Sequence, residues 1–304
     1  MKVTKKKCEK ILAPYRFGKV RSVVRLTSGF TNSNFKVATK KGNYVLRFFR
    51  AQSLEEIQYE IKLYAKLKEE KFPAAYPVPD HNADYIQHLS KGYAVVYPFI
   101  EGKEPLPRKK TVRGIARAMA RLHSIKGWKK LQRPNPYGIE GCQAVIKKFK
   151  QAKYQHPELF DFVRKETALL QKPLSTKLPK GFIHGDLYTD NTLFKGKKLM
   201  AMLDFECACT DSLLIDVGTT INGFCFKKNR LDEKLYTLMI KEYQKIRPLT
   251  KQEIKLLPYY VHWGSFIWVC WHLEMALNNK APENLKRAKY LMERIKNLSV
   301  INGS

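Results

Sequence analysis

Acidic residues are scarce in this chain, which carries 57 lysines and arginines against 27 aspartates and glutamates and has a formal net charge of +30. Such a charge invites a nucleic-acid partner. However, the basic residues are scattered as pairs and triplets, such as residues 5–7 and 108–110, and no nucleic-acid motif accompanies them. We therefore interpret them as solvated surface, expect no specific nucleic-acid partner, and expect a general attraction for anions such as nucleotides.

A long apolar run is also missing. The nearest candidate, residues 259–273, contains His262, Ser265 and His272 and is shorter than the roughly 20 apolar residues that cross a bilayer. It therefore predicts a buried aromatic helix. The N-terminal apolar stretch is too short for a signal peptide. The six cysteines form no CxxC pair and no framework typical of secreted domains, which predicts buried free thiols. Together these features predict a cytoplasmic protein with no membrane partner, either a monomer or a homodimer.

Low-complexity tracts and internal repeats are absent too, and apolar residues make up 44% of the 304 positions, which predicts a folded chain of two domains or one bilobal unit. Residues 23–49 show two strand-like runs around a turn at residues 41–43. A helix follows, with Ser53 as its N-cap and Glu56 three residues later. After two prolines, residues 92–100 read as a buried strand.

From about Val112 the chain is mostly helical, apart from residues 182–205. The order of elements predicts an α+β fold with two lobes and a cleft between them. Residues 1–98 would form a small N-terminal lobe with an antiparallel sheet, which binds the nucleotide. Residues 99–304 would form a larger, mostly helical lobe for catalysis and substrate binding.

The stretch FIHGDLYTDNTLF, residues 182–194, places Asp186 five residues before Asn191, and a second apolar run ends at Asp204. Phosphoryl transfer from ATP requires one carboxylate near the attacking hydroxyl, while an asparagine and a second carboxylate hold Mg²⁺. Protein kinases space their catalytic residues in the same way. By itself, the HGD tripeptide is also compatible with an ordinary turn, and residues 190–191 with a helix cap. No Walker A motif occurs, which argues against a P-loop kinase.

This motif, with LDF at residues 203–205, resembles the Brenner-type phosphotransferase motif of the aminoglycoside phosphotransferase and choline kinase superfamily, whose members are small-molecule relatives of protein kinases. Three further stretches, residues 29–37, 133–138 and 204–225, resemble type II homoserine kinases. The resemblance implies a bilobal protein-kinase-like fold. It also implies ATP- and Mg²⁺-dependent phosphorylation of a small metabolite's hydroxyl, favouring conversion of L-homoserine to O-phospho-L-homoserine in threonine biosynthesis.

Carried over position by position, the resemblance makes Asp186 the catalytic base or the group that orients the acceptor hydroxyl. It makes Asn191 and Asp204 the Mg²⁺ ligands. His184 would buttress the loop, and Asp216 would brace it, although Asp216 also fits a simple acid in the first turn of a helix. Spacing assigns no chemical role to the neighbouring Asp190, which we expect in a loop or at a helix start.

The resemblance also assigns residues to the nucleotide. Residues 28–34 would cover the ATP phosphates through their backbone, and residues 97–99 would form the hinge beside adenine. Arg47 stands where many relatives carry a lysine, with Glu60 as its expected partner; a surface charge pattern on the helix is the alternative for Glu60. The side chains assigned to the nucleotide are Ser28, Gly29, Asn34, Arg47, Glu60, Tyr97 and Phe99.

The acceptor stays open between several small molecules. An amino alcohol with a carboxylate needs an anion for its ammonium and a cation or amide for its carboxylate; the candidates by position are Arg133, Glu206, Asp211 and Asn222. Residues 265–276 do not reproduce the Arg/Trp-rich helix expected of a homoserine kinase. Choline or ethanolamine would instead use an aromatic cage, which Trp263, Trp268, Trp271, Tyr259 and Tyr260 could supply unless they form core. An aminoglycoside would need a broad acidic cleft, which suits this basic chain poorly. A non-catalytic nucleotide-binding protein with the same fold is the other alternative.

Overall fold

The computed structural model describes residues 3–26, 32–50, 52–151, 156–279 and 282–298. These residues form two compact units. The sheet unit comprises Met1–Glu104 and Thr192–Glu206, and the helical unit comprises Pro105–Asn191 and Cys207–Ser304.

The sheet unit is built around an antiparallel sheet whose strands run in the order β1-β2-β3-β5-β4. Its described elements are α1 (Lys5–Leu12), β1 (Val20–Arg25), β2 (Ser33–Thr39), β3 (Asn43–Phe49), α2 (Leu54–Glu69), β4 (Ile86–His88), β5 (Tyr93–Pro98), β7 (Thr192–Lys195) and β8 (Lys198–Met202). Alternate residues of β2 point into a core shared with α1, β3 and β5, as expected for a sheet with one face buried.

The elements that local sequence signals predicted in this unit are present in the structure. Strands β2 and β3 pair as an antiparallel hairpin around residues 40–42, and β5 is the predicted buried strand. The capping box of α2 is present: Glu56 N donates to Ser53 Oγ at 3.3 Å, and Ser53 N donates to Glu56 Oε2 at 2.8 Å. Each of these contacts joins residues close in sequence, which is why the sequence could predict them.

The hairpin of β7 and β8 belongs to the sheet unit, although residue 98 was predicted as the end of the N-terminal lobe. Backbone hydrogen bonds fix this assignment: Met202 N donates to Pro73 O at 2.8 Å, and Lys103 and Phe194 exchange bonds of 2.9 and 3.0 Å. Apolar patterning places residues 192–206 in a hairpin, but only these long-range bonds attach it to the first hundred residues.

The helical unit contains most of the remaining chain. Its described elements are α3 (Lys109–Ser124), α4 (Ile139–Gln151), α5 (Pro157–Ser175), β6 (Lys180–Ile183), β9 (Cys209–Ser212), α6 (Leu214–Phe224), β10 (Phe226–Lys227), β11 (Arg230–Leu231), α7 (Glu233–Gln244), α8 (Lys251–Asn279) and α9 (Pro282–Lys296). The predicted aromatic helix lies within α8 and packs into a core formed with α4, α5 and α9. Over the ranges that the structure describes, no helix combines the length and apolarity needed to cross a bilayer. The six cysteines are free and buried.

Helices α6 and α8 cross closely because glycine stands at their contact. A Cβ atom on Gly218 would lie 2.1 Å from the carbonyl oxygen of Tyr260, and one on Gly264 would lie 2.6 Å from Asn222 Nδ2. Real Cβ atoms do not approach so closely, so neither position tolerates a side chain without a shift of a helix. This crossing fixes which face of α8 points toward the loop that follows β6.

Replacing Gly218 with alanine should lower the free energy of unfolding by about 3 kcal/mol, because the added methyl group meets backbone that cannot rotate away. Gly141→Ala is the matched control, since a Cβ atom on that exposed residue of α4 meets nothing within 4 Å. The control should raise stability by about 0.5–1 kcal/mol through helix propensity. Urea unfolding of both variants measures the difference. Equal effects would show that the close crossing does not limit α6.

Candidate active site

The HGD loop, residues 184–186, begins directly after β6, which pairs antiparallel with β9. Gly185 has a φ of +81°, a region that favours glycine. A Cβ atom there would lie 2.5 Å from the carbonyl oxygen of Cys207. Backbone conformation and steric contact therefore both demand glycine between the histidine and the aspartate. The same turn lifts Asp186 out of the strand.

The side chain of Asp216 holds the backbone of this loop. Its two carboxylate oxygens accept hydrogen bonds from the backbone N–H groups of His184 at 2.7 Å and Gly185 at 2.8 Å. It stands in the first turn of α6 and is fully buried. The sequence left two alternatives for Asp216: it braces the loop, or it is an acid in the first turn of a helix. The structure shows that one carboxylate does both.

His123, which sequence reasoning missed, is the side-chain partner of Asp216. Its Nε2 lies 3.1 Å from Asp216 Oδ2, and its Nδ1 lies 2.7 Å from the hydroxyl oxygen of Tyr243. Burial alone would raise the pKa of Asp216, but hydrogen bonding and attraction from His123, with further help from His184, hold that pKa below its ordinary value. The only available signal was a histidine on the apolar face of α3, and such residues are more often core than site.

Asp186 is held by its neighbours within the loop. Asn191 Nδ2 donates to both the carbonyl oxygen and Oδ2 of Asp186, each at 2.8 Å. The backbone N–H of Asp186 donates to His184 Nδ1 at 3.3 Å, so the buried histidine acts as a support, in the position expected of a buttress. Asp190 lies exposed in the intervening turn. The loop thus presents one carboxylate and one amide in a fixed mutual orientation.

Asp186 opens onto a pocket within the helical unit. The pocket has an empty volume of about 430 Å³, counting its solvent-open part. It is lined by Asn135, Tyr137, Gly185, Asp186, Cys207, Ile215, Thr219, Trp263, Ile267, Trp268 and Trp271. We call this the acceptor pocket. One carboxylate beside mostly apolar walls is a lining typical of small-molecule sites.

In the sheet unit, Arg47 has a different partner from the one predicted. Its Nη2 lies 2.8 Å from Asp204 Oδ1 and 3.0 Å from Glu206 Oε2. Glu60, the partner predicted for Arg47, interacts with it electrostatically, but the guanidinium hydrogen bonds found within the described residues go to Asp204 and Glu206. One nitrogen of the guanidinium therefore contacts both carboxylates.

A second set of hydrogen bonds connects Glu206 with Glu60. Asn32 Nδ2 donates to Glu206 Oε2 at 2.9 Å and to Gln52 Oε1 at 3.0 Å. Gln52 Nε2 in turn donates to Glu60 Oε1 at 2.7 Å. Glu60 is 1% exposed, and its Oε2 has no hydrogen-bond partner within the part of the chain that the structure describes. Burial raises the pKa of this carboxyl to about 7, partly offset by attraction to Arg47.

The raised pKa of Glu60 makes stability depend on pH. Between pH 4.5, which is the ordinary pKa of a glutamate, and about pH 7, the folded chain keeps a proton on this carboxyl. The unfolded chain releases the proton in that range. The free energy of unfolding should therefore fall as pH rises through that window. Glu60→Gln removes this slope and should make the protein more stable than the parent by about 2 kcal/mol at pH 8.

Chemical unfolding at pH 5 and pH 8 in magnesium-free buffer tests this expectation. Glu69→Gln is the control, because the Glu69 side chain is 70% exposed. If the parent and Glu60→Gln showed the same difference in stability between the two pH values, the expected titration would be contradicted.

Three of the other residues assigned to the nucleotide, Asn34, Tyr97 and Phe99, lie along the same sheet. Asn34 on β2 pairs with Arg47 on β3. Tyr97 is buried near the end of β5, with its ring 5.8 Å from that of Tyr64. Phe99 follows β5 and donates its N–H to Asn43 O at 3.0 Å. Ser28 and Gly29 lie outside the described residues.

The four acceptor candidates have different contacts in the structure. Glu206 is in the sheet unit, on Arg47. Asp211 contacts Lys180 at 3.3 Å and accepts a bond from Asn135 at 3.1 Å. The carbonyl oxygen of Arg133 accepts from Thr210 N at 3.1 Å, which brings this segment beside β9 and the acceptor pocket.

Asn222, the fourth candidate, lies inside the α6–α8 contact and does not line the pocket. Its Nδ2 donates to the carbonyl oxygens of Gly218 and Val261 at 2.9 and 2.6 Å, and its Oδ1 accepts from the Ser265 hydroxyl. These bonds use the hydrogen-bonding capacity of the amide. The residue therefore stabilises the helix crossing, and we assign it no acceptor role.

The fold agrees with comparisons to known proteins. Residues 22–248 match the phosphotransferase enzyme family. The chain belongs to that family. This phosphotransferase is 30% identical over 260 residues to a homoserine kinase of Rhizobium meliloti, covering 84% of the present chain and 80% of that protein. It is 32% identical over 251 residues to a homoserine kinase of a Chelativorans species, covering 81% and 78%.

Solved structures of more distant proteins share the fold of this phosphotransferase. An amicoumacin kinase bound to AMP-PNP and Ca²⁺ is 14% identical, with a TM-score of 0.76 over 97% of this chain and 94% of that one. A spectinomycin phosphotransferase bound to ADP and spectinomycin gives 0.73 at 14% identity over 99% of both chains. These similarities confirm the predicted protein-kinase-like α+β fold. Together with the family, they support an ATP-dependent phosphotransferase that acts on a hydroxyl group.

Proposed function

We propose that this phosphotransferase is an L-homoserine kinase of threonine biosynthesis, which transfers the γ-phosphoryl group of ATP to the hydroxyl of L-homoserine. The observation that carries the proposal is the match to homoserine kinases at about 30% identity over four fifths of their length. The acceptor pocket supports it independently, because a single carboxylate, Asp186, faces a space suited to a small metabolite.

In the proposed reaction, the hydroxyl oxygen of homoserine attacks the γ-phosphorus of ATP, and the bond from that phosphorus to the ADP oxygen breaks. Asp186 accepts the hydroxyl proton, or orients the hydroxyl until the proton leaves. Asn191 holds its carboxylate, and Asp216 holds the backbone of the two residues before it, through the contacts described above. Positioning contributes to the rate because little else is required of the protein in phosphoryl transfer.

Asn191 and Asp204 are the proposed ligands of Mg²⁺. The Asn191 amide nitrogen is occupied by Asp186, which leaves its oxygen, a hard ligand atom, for the cation. Asp204 has a φ of +59°, an unusual conformation that clusters at functional sites. Each side chain carries an oxygen of the kind that Mg²⁺ prefers, and the cation, when bound, would neutralise charge on the transferring phosphates.

The sheet unit is proposed to bind ATP, in line with the N-terminal lobe assigned to residues 1–98. Arg47 and Glu60 would act near the phosphates, with Asn34 beside Arg47, and residues 28–34 would cover the phosphates through their backbone. Tyr97 and Phe99 would flank adenine. We further propose that Arg133 and Asp211 shape the rim of the acceptor pocket, that Glu206 acts by holding Arg47, and that the protein is cytoplasmic, as a monomer or a homodimer.

An acceptor panel tests the proposal. ADP release is followed with ATP and Mg²⁺ and, in separate reactions, L-homoserine, choline, ethanolamine and an aminoglycoside; ³¹P NMR identifies the product. We expect the highest kcat/KM with L-homoserine, an O-phosphate monoester as product, and loss of turnover in excess EDTA. Turnover of another acceptor with none of homoserine would overturn the proposed substrate, and absence of turnover with all four would overturn the assignment as a kinase of these metabolites.

A further inference from the structure

A series of hydrogen-bonded side chains runs from the start of α8 to the carboxylate that holds the HGD loop. Glu253 Oε1 accepts from Arg247 Nη2 at 2.7 Å, and Arg247 Nη1 donates to the Tyr243 hydroxyl oxygen at 3.1 Å. That oxygen lies 2.7 Å from His123 Nδ1, and His123 Nε2 lies 3.1 Å from Asp216 Oδ2. We call these five residues the loop-support network. The proposed reaction gives no role to the first three.

The network is buried and is fixed at its outer end. Tyr243, Asp216 and Glu253 are fully buried, and the Arg247 side chain is 15% exposed. Glu253 caps α8: its Oε2 accepts from Thr250 N at 2.9 Å, and its own N–H donates to Thr250 Oγ1 at 3.1 Å. Because buried polar groups have few alternative partners, the position of each group in such a network constrains the next.

The direction of the Tyr243 hydroxyl follows from the chemistry of its two neighbours. A guanidinium can only donate hydrogen bonds, so the Tyr243 oxygen accepts from Arg247. Burial raises the pKa of Tyr243, with Arg247 partly offsetting this effect, so the phenol keeps its proton. Within the described residues, the acceptor next to this proton is His123 Nδ1. The hydroxyl of Tyr243 therefore donates to His123.

The tautomer of His123 is fixed by this bond. When Nδ1 accepts from Tyr243, the proton of the neutral imidazole is on Nε2, the nitrogen that faces Asp216. The Asp216 carboxylate is ionised, because hydrogen bonding and attraction from His123 hold its pKa below the ordinary value against the effect of burial. An N–H that points at an ionised carboxylate forms a strong, charge-assisted hydrogen bond. Both ends of the imidazole therefore agree on the same tautomer.

We infer that Tyr243 and Arg247 are positioning residues of this phosphotransferase. Together they fix the N–H of His123 that completes the set of donors on Asp216. That carboxylate then accepts three hydrogen bonds, two of them from the backbone of the loop that carries Asp186. Neither positioning residue lines the acceptor pocket, so their effect reaches the site through the loop backbone. The part of this inference that concerns the reaction rate rests on the proposed function.

Tyr243→Phe removes the hydroxyl and keeps the ring. His123 Nδ1 is then buried without a donor, so the imidazole is held less firmly against Asp216. We expect kcat to fall by about tenfold, because small displacements of a catalytic group are costly. The KM for ATP and for L-homoserine should stay within about twofold, since the residue contacts neither ligand. Tyr236→Phe, on the same helix but outside the network, is the matched control and should leave kcat unchanged. Equal kcat values for the two variants would overturn the inference, as would a loss confined to KM.

Arg247→Lys tests the guanidinium. A lysine keeps the charge for Glu253 but cannot donate from two separate nitrogens, so the Tyr243 hydroxyl loses its donor. We expect kcat to fall by about threefold to tenfold. Combining this change with Tyr243→Phe should give no greater loss than Tyr243→Phe alone, because both act through one hydroxyl. Losses that multiply would overturn the network. Arg113→Lys is the control, since Arg113 joins α3 to Glu242 of α7 at 3.4 Å outside the network.

Nuclear magnetic resonance measures the network without any substrate. In protein labelled with ¹⁵N-histidine at pH 8, we expect the His123 ring to be protonated on Nε2, with its signals assigned by their loss in His123→Gln. Exchange of the backbone amide protons of His184 and Gly185, which donate to Asp216, should become about tenfold faster in Tyr243→Phe. A parent ring protonated on Nδ1, or amide exchange that does not change in the variant, would overturn the inference.

These substrate-free measurements separate the inference from the proposed function. Faster amide exchange in Tyr243→Phe, with no turnover of L-homoserine by the parent, would support the network and overturn the substrate. Turnover of homoserine at the same kcat by the parent, Tyr243→Phe and Arg247→Lys would leave the proposed function standing and remove the inference. If a thermal melt shows that Tyr243→Phe does not fold, the parent tautomer and the kcat of Arg247→Lys decide the inference in the same way.

Discussion

Replacing Asp186 with asparagine should lower kcat by about 10² to 10⁴, because the amide has nearly the same shape but cannot accept the hydroxyl proton. The loop should keep its conformation, since Asp216 holds the backbone of residues 184–185 and not the Asp186 side chain. The KM for ATP should therefore change little. Steady-state ADP release with homoserine measures the effect, and a thermal melt confirms that the variant is folded.

Asp190→Asn is the matched control for this experiment. Asp190 belongs to the same loop and loses the same charge, but it is exposed and has no assigned role. We expect a kcat within about twofold of the parent, because exposed substitutions of this kind have small effects. An unchanged rate for Asp186→Asn would remove that residue from the mechanism. An equally large loss for Asp190→Asn would show that the total charge of the loop is what matters.

Replacing Asp216 with asparagine should lower the free energy of unfolding by about 3 kcal/mol. Both carboxylate oxygens accept from backbone N–H groups, and His123 Nε2 lies 3.1 Å from one of them. An asparagine would turn an NH₂ group toward one of these donors, leaving buried polar groups unpaired. Because the loop would also loosen, we expect kcat to fall by about tenfold or more.

The pH dependence adds a second readout for Asp216. Its pKa is depressed in the folded chain, so its stabilising contribution is present above the ordinary value of about 3.9 and is lost as pH falls through the lower, folded value. The difference between Asp216→Asn and the parent should be full at pH 7 and should shrink below about pH 4. Asp211→Asn is the control, since that half-buried carboxylate pairs with Lys180 near the surface. Equal losses from both variants at pH 7 would contradict a special role for the loop brace.

Much of the fold followed from contacts between residues near each other in sequence. The capping box of α2, the β2–β3 hairpin and the aromatic helix α8 depend on turn chemistry and on hydrophobic periodicity, both of which are written locally. The sequence also placed Asp186 and Asn191 close together, and in the structure Asn191 contacts Asp186 directly. Asp190, to which the spacing assigned no chemical role, lies in a turn, as we expected.

The predictions that needed a partner from a distant part of the chain fared less well. Glu60 was chosen for Arg47 because it lies on the next helix, but the guanidinium bonds Asp204 and Glu206, more than 150 residues away. Asn222 stood in a motif typical of a site, but its amide bonds Val261 across the α6–α8 crossing. His123 carried no sign of its contact with Asp216.

By itself, then, the sequence predicted the chemistry: a carboxylate, an amide and a second carboxylate at kinase spacing. It also predicted a strand-rich start followed by a mostly helical remainder, which is the order of a protein-kinase-like fold. The tertiary structure decided the partners. It placed the hairpin of residues 192–206 in the sheet unit, brought the α8 tryptophans and Asp186 into the lining of one pocket, and paired Asp216 with His123. The physical reason is that backbone propensity and turn chemistry act over a few residues, whereas side-chain pairing depends on how separate elements pack, which local pattern does not encode.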